Sequence, residues 1–254
     1  MEDVSQLLLL AILGLMGGVL AGLVGVGGAT IFIPALVYVV GWGIKDAVAA
    51  GLVLTVFSAL SGTIRNARSE DPIDWRVAAL FASAVAPASL IGVFVNNVAP
   101  PEVAQIAFAG FFLALAYPTA RGGGDLTSDG SRIPLALVLL AGVVIGALAG
   151  LVGVGGGGVT VPLMVLGFGL TTKRAVSTGL VVNLCTGIVA SMGYLATGFG
   201  DLYSLPPLIL GSVLGPLLGV RLRERLPEKA IRIGFACFMV VVALRTLSDA
   251  VGIL

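Results

Sequence analysis

The sequence predicts an all-α integral membrane protein made of two inverted-topology repeats. Three observations carry that expectation. Of 254 residues, 58% are hydrophobic and 11% are charged, where a soluble domain has roughly 25% charged. The octamer AGLVGVGG stands at residues 21–28 and again at 149–156. The basic residues also fall in opposite loops of the two halves. Each repeat should hold a glycine-broken helical hairpin and three transmembrane helices, giving about eight full spans plus short broken segments.

Composition excludes several function classes. So little polar surface cannot cover a water-facing exterior, so the lipid bilayer is the first expected partner. A net charge of +1 argues against nucleic acid. The chain has no histidine, which removes histidine bases and histidine metal ligands. Cys185 and Cys237 lie in apolar runs without a CxxC pattern and read as buried small hydrophobes. No metal site and no cofactor is expected. The stretch MEDVSQLLLLAILGLMGGVL has the length of a signal peptide. It opens with acidic residues where a signal peptide is basic, and it recurs later in the chain, so it reads as part of the fold.

The repeat runs through the whole chain. At the octamer's offset of 128, Pro34 falls on Pro162, and the run 47–52 falls on 175–180. With shifts of one or two positions, Pro87, Gly92, Pro101 and Phe108 meet Pro216, Gly219, Pro227 and Phe235. The halves are 1–120 and 133–254. The linker 121–132, RGGGDLTSDGSR, is polar and glycine-rich.

Each half opens with a charge-free run, 4–44 and 133–172. As one helix of about forty residues, each run would reach about 60 Å, twice the hydrocarbon thickness. The run must therefore break, and glycines mark the place: Gly25, Gly27 and Gly28, then Gly153, Gly155, Gly156, Gly157 and Gly158. The segment after each break contains Pro34 or Pro162 and is too short to span, which predicts a hairpin. Three spans follow in each half, at 46–66, 76–96 and 102–119, then at 174–197, 202–221 and 230–247.

Basic residues favour the cytoplasm. Arg65, Arg68 and Arg76 flank the first inter-span loop of the first half, while NNVAPPE carries none. In the second half TGFGD carries none, and the following loop carries Arg221, Arg223, Arg225, Lys229 and Arg232. Equivalent loops thus belong on opposite sides, and each opener must return to the side it entered. The linker and the 171–174 turn then lie inside, with both termini outside. Of fourteen basic residues, only Lys45 and Arg245 remain outside.

A broken helix exposes N–H groups at its new N-terminus, where its dipole is positive. Such an end holds an anion without a buried lysine, and glycine lets the anion approach the amides. In inverted-repeat transporters these breaks meet near the midplane. The glycines therefore read as two facing anion cradles. The competing reading is tight helix packing. A dinucleotide loop, to which Gly153, Gly155 and Gly158 formally conform, lacks its strand and its acidic residue.

Two halves that each open with GLVGVGG, continue through Pro34 or Pro162, and reach KDAVAAGL or KRAVSTGL resemble the TauE/SafE family of small bacterial permeases. The resemblance covers nearly the whole chain. It implies a multi-pass protein of the bacterial inner membrane that moves sulfite, sulfonates or related organic anions. The first loop departs from the second: Ala29 and Thr30 stand where Gly157 and Gly158 do. Likewise Ala49 and Ala50 stand where Ser177 and Thr178 do.

Polar residues inside the spans complete the candidate site: Thr55 and Ser58 in one half, Thr178, Asn183 and Thr186 in the other. Thr55 pairs with Asn183, and Ser58 with Thr186, at the same offset. The alternative for each hydroxyl is a bond to its own helix backbone. All thirteen acidic residues fall in loops or at span ends, so a midplane carboxylate relay for protons is missing. No Walker motif is present. A secondary transporter of small anions is the leading expectation, working by alternating access between the repeats. A passive anion channel, a membrane-embedded enzyme and an assembly subunit are the alternatives. No catalytic residue is expected, and a homo-oligomer stays open.

Overall fold

The computed structural model describes residues 2–24, 29–67, 73–121, 134–155, 157–198, 205–223 and 227–252. Every regular element among them is a helix. The first half holds α1 (Glu2–Val24), α2 (Ala29–Ala35), α3 (Ile44–Asn66), α4 (Trp75–Val98) and α5 (Pro101–Arg121). The second holds α6 (Leu135–Val152), α7 (Gly157–Phe168), α8 (Thr172–Ala196), α9 (Leu205–Arg223) and α10 (Glu228–Ala250). Pro34 lies inside α2, and having no N–H it frees a carbonyl one turn back. The helix then widens into a π-helical turn, Leu36–Val40, and stops at Gly41 with φ +80°.

Six helices are long and apolar enough to cross a membrane: α3, α4, α5, α6, α8 and α10. The stretches Leu7–Leu20, Ala29–Val40 and Leu205–Pro216 are apolar but shorter. By length and composition the described residues thus supply six full spans where the sequence suggested about eight. Of the linker 121–132, all but Arg121, the last residue of α5, lies outside the described residues.

Both openers fold back on themselves. Phe32 of α2 packs on Gly17 of α1, and Gly167 of α7 packs on Val138 near the start of α6. Phe168, the last residue of α7, meets Phe81 edge-on at 6.2 Å. Phe81 also lies against Gly142 of α6. The break in the second opener is therefore the tip of a hairpin.

The main helix pairs join the halves: α1 with α9, α4 with α6, α5 with α10, and α3 with α8. Exchanging the halves turns the first pair into the second. Their directions follow from which residues meet. Along α4, Phe81, Val85 and Ser89 meet Gly142, Gly146 and Gly150 in that order, so α4 and α6 run parallel. Gly14 and Gly18 of α1 meet Leu208 and Gly215 of α9, again parallel. Helices α3 and α8 run antiparallel, with Leu52 and Val56 beside Gly187 and Gly62 beside Leu180.

Glycines make these seams possible. A Cβ on Gly92, Gly146 or Gly150 would collide with backbone carbonyls across the α4–α6 seam, and one on Gly211 with α1 backbone. Lipid offers no hydrophobic drive for helix pairing, so backbone proximity of this kind supplies the contact.

The bundle has two distinct ends. At one, Asp74 caps α4 by accepting the Val77 N–H at 3.1 Å, and it pairs with Arg174 at 3.3 Å. Both partners reach solvent, so this pair adds little stability. At the other, the Lys45 ammonium donates to Ala99 O at 2.8 Å and Asn97 O at 3.3 Å, closing the last turn of α4. The Tyr38 hydroxyl lies 2.7 Å from Thr246 Oγ1 at this same end. The outer surface is apolar, with Phe94, Leu210 and Val241 each 66% exposed, as a lipid-facing surface should be. Cys237 is exposed on it rather than buried.

Candidate functional site

Helix α6 stops because Gly153 turns left-handed, φ +80°, and its N–H closes on Ala149 O at 2.8 Å. Gly155 is left-handed too, φ +68°. A residue with a Cβ would lose about 1–2 kcal/mol at each such position. Two left-handed residues in three reverse the chain quickly, so α7 already begins at Gly157. Gly157 and Gly158, expected in the loop, are its first residues. The break is correspondingly narrow: Val152 is still helical, as is Val24 before the first break. Gly25, Gly27, Gly28 and Gly156 lie outside the described residues.

The tip packs against the middle of α3 and α8. A Cβ on Gly155 would stand 3.1 Å from Thr55 Cγ2 and 4.0 Å from Asn183 Oδ1. Gly153 lies against Val48 and Ile33. Thr55 and Asn183, equivalent positions in the two halves, are 1% and 4% exposed. The Asn183 Oδ1 atom is buried without a hydrogen-bond partner among the described residues. Leaving such a group unpaired costs about 1–3 kcal/mol. Beyond the tip, the first N–H groups of α7 have no acceptor within their own helix, and the dipole makes that end positive. The helix end thus offers backbone donors and positive potential to a small anion, while Asn183 Oδ1 presents an acceptor beside it.

The hydroxyls behave otherwise. Thr55 donates to Gly51 O at 2.8 Å, Ser58 to Thr55 O at 3.2 Å, and Thr186 to Val182 O at 2.8 Å. Each proton is thus spent on its own helix. Thr178 lies apart from the break: its Oγ1 accepts the Asp74 N–H at 3.1 Å and ties α8 to the start of α4. Two side chains that sequence reasoning passed over reach the break instead. Asn96 Nδ2 donates to Leu151 O at 2.7 Å, and the Tyr194 hydroxyl donates to Gly150 O at 2.9 Å. Asn96 sits where the expected 76–96 span gives way to the NNVAPPE loop, and α4 continues past it to Val98. The available signal was a carboxamide and a phenol within one turn or two of apolar span ends.

Residues 10–246 match the family model described as Sulfite exporter TauE/SafE. The chain belongs to the TauE/SafE family. The match reaches from α1 into α10 and includes both breaks. Similar curated proteins carry the same kind of name. A probable membrane transporter protein of Haemophilus influenzae is 28% identical, covering 94% of this chain and 97% of that protein. YunE of Bacillus subtilis, also a probable membrane transporter protein, is 26% identical over 88% of this chain and 90% of its own. A third, from Methanocaldococcus jannaschii, is 27% identical with 96% of each chain covered. No solved structure gives a significant match. This TauE/SafE protein is a multi-pass membrane transporter, and its relatives' names fit a protein that is not an enzyme.

Proposed function

We propose that the chain carries small anions across the bacterial inner membrane, with sulfite and short sulfonates as the substrate class. The substrate sits at the tip of the α6–α7 hairpin, against Thr55 and Asn183. One observation carries this reading. Buried Asn183, whose Oδ1 has no partner among the described residues, borders a left-handed glycine turn two residues ahead of the α7 N-terminus, and the amides of that helix end are the donors for the anion. The family's description as a sulfite exporter supports the choice of anion.

Residues 1–120 and 133–254 act as inverted repeats joined by the linker 121–132. The antiparallel course of α3 and α8, which are equivalent helices, supports this. So does the entry of the second hairpin at the Asp74–Arg174 end, while the first leads into α3 at the Lys45 end. The repeats rock about α3 and α8, exposing the site to each side in turn. The Asp74–Arg174 end is cytoplasmic, since most of the basic residues gather there. Labelling of single cysteines near Arg174 from the outside, or near Lys45 from the cytoplasm, would overturn this orientation.

Without a midplane carboxylate, proton coupling would have to use a span-end group such as Asp46 or the substrate's own proton. That absence also favours a second reading, a passive anion channel. Flux of sulfite and short sulfonates into proteoliposomes, with and without an ion gradient, separates the two. Saturable flux with mutual competition is the expected result. Flux that never saturates would favour the channel, and no flux of any small anion would overturn both.

A further inference from the structure

The last four carbonyls of α6 belong to Ala149, Gly150, Leu151 and Val152, and none has a donor within the helix. They lie at the hairpin tip among apolar helices, where backbone groups must be satisfied by protein. Gly153 N–H serves the first. The next two are served by different helices. Tyr194 of α8 donates to Gly150 O at 2.9 Å, and Asn96 of α4 donates to Leu151 O at 2.7 Å. Both side chains are 1% exposed. Successive carbonyls point about 100° apart around a helix, so holding two of them fixes rotation as well as height.

We propose that Asn96 and Tyr194 are positioning residues for the substrate. By gripping α6 from α4 and α8 they set where Gly153 and Gly155 meet Thr55 and Asn183. The proposal rests on the reading of that turn as the substrate's. At an offset of 128, Tyr194 falls on Asn66 and Asn96 on Glu224, so the residue pair itself does not repeat in the sequence.

The test uses the full chain in liposomes, with Cys185 and Cys237 replaced by alanine. Val154, 1% exposed, becomes a reporter as Val154→Cys. Tyr194→Phe removes the hydroxyl and keeps the ring; Asn96→Leu keeps the volume. Either variant should speed methanethiosulfonate labelling of the reporter about fivefold or more. Without the reporter, each should raise KM for sulfite uptake by a similar factor, with kcat within about twofold. A purely structural role would lower the melting midpoint and leave labelling and KM alone. Unchanged labelling in both variants would overturn the grip, whether or not sulfite is the substrate. Faster labelling with an unchanged KM would overturn the assignment of this turn to substrate.

Discussion

Gly150 and Gly153 stand three residues apart on one hairpin and do different work. Gly150 is helical, and a Cβ there would collide with Ser89 backbone across the α4–α6 seam. Gly153 is left-handed, as is Gly155 two residues later. The octamer thus holds both a packing glycine and turning glycines, and the proposed anion cradle concerns only the turning ones. Residue type alone does not separate these roles; the backbone conformation and the neighbour do.

Substitution at the seam should have the largest effect. Gly150→Leu overpacks two backbones already in contact and should cost about 3 kcal/mol or more. Its signature is loss of folded protein from the membrane, seen by quantitative immunoblot and size-exclusion profile. Normal abundance of Gly150→Leu would erase the distinction drawn here.

At the turn the fold should survive while transport fails. Gly155→Val strains a left-handed residue by about 1–2 kcal/mol and drives a side chain towards Thr55 and Asn183. Near-normal abundance with flux at background is the expected pattern. Asn183→Ala comes next, weakening substrate binding by about 1–3 kcal/mol, or roughly 5- to 150-fold in KM. Thr55→Ala and Thr186→Ala should change KM by no more than about twofold, because each hydroxyl proton is already given to its own helix. A larger loss in Thr55→Ala than in Asn183→Ala would reverse the order of importance on the two sides of the turn.

Much of this was legible in the sequence. Charge-free runs too long for one crossing forced a break, and clustered glycines located it within a few residues. Helix bounds followed the apolar runs and their Gly, Pro and Asp punctuation, as with Asp74 before α4 and Gly169 after α7. What stayed hidden depends on partners distant in the chain. Thr178 reads as a cavity hydroxyl until Asp74, 104 positions earlier, donates to it. Asn96 reads as no more than a span-end residue until the end of α6, 55 positions on, needs its amide. The matched pair Ser58 and Thr186 suggested a shared cavity, but a hydroxyl in a helix has a carbonyl three or four residues back, and both take it.

The most direct measurement is equilibrium binding of sulfite to purified protein, by calorimetry, in wild type and Gly155→Val side by side. The substitution alters one residue at the tip and leaves the α4–α6 and α1–α9 seams untouched. If the hairpin tip holds the anion, wild type binds saturably and Gly155→Val shows no binding at matched folded concentration. Equal affinity in the two proteins would contradict a substrate site at the α6–α7 break.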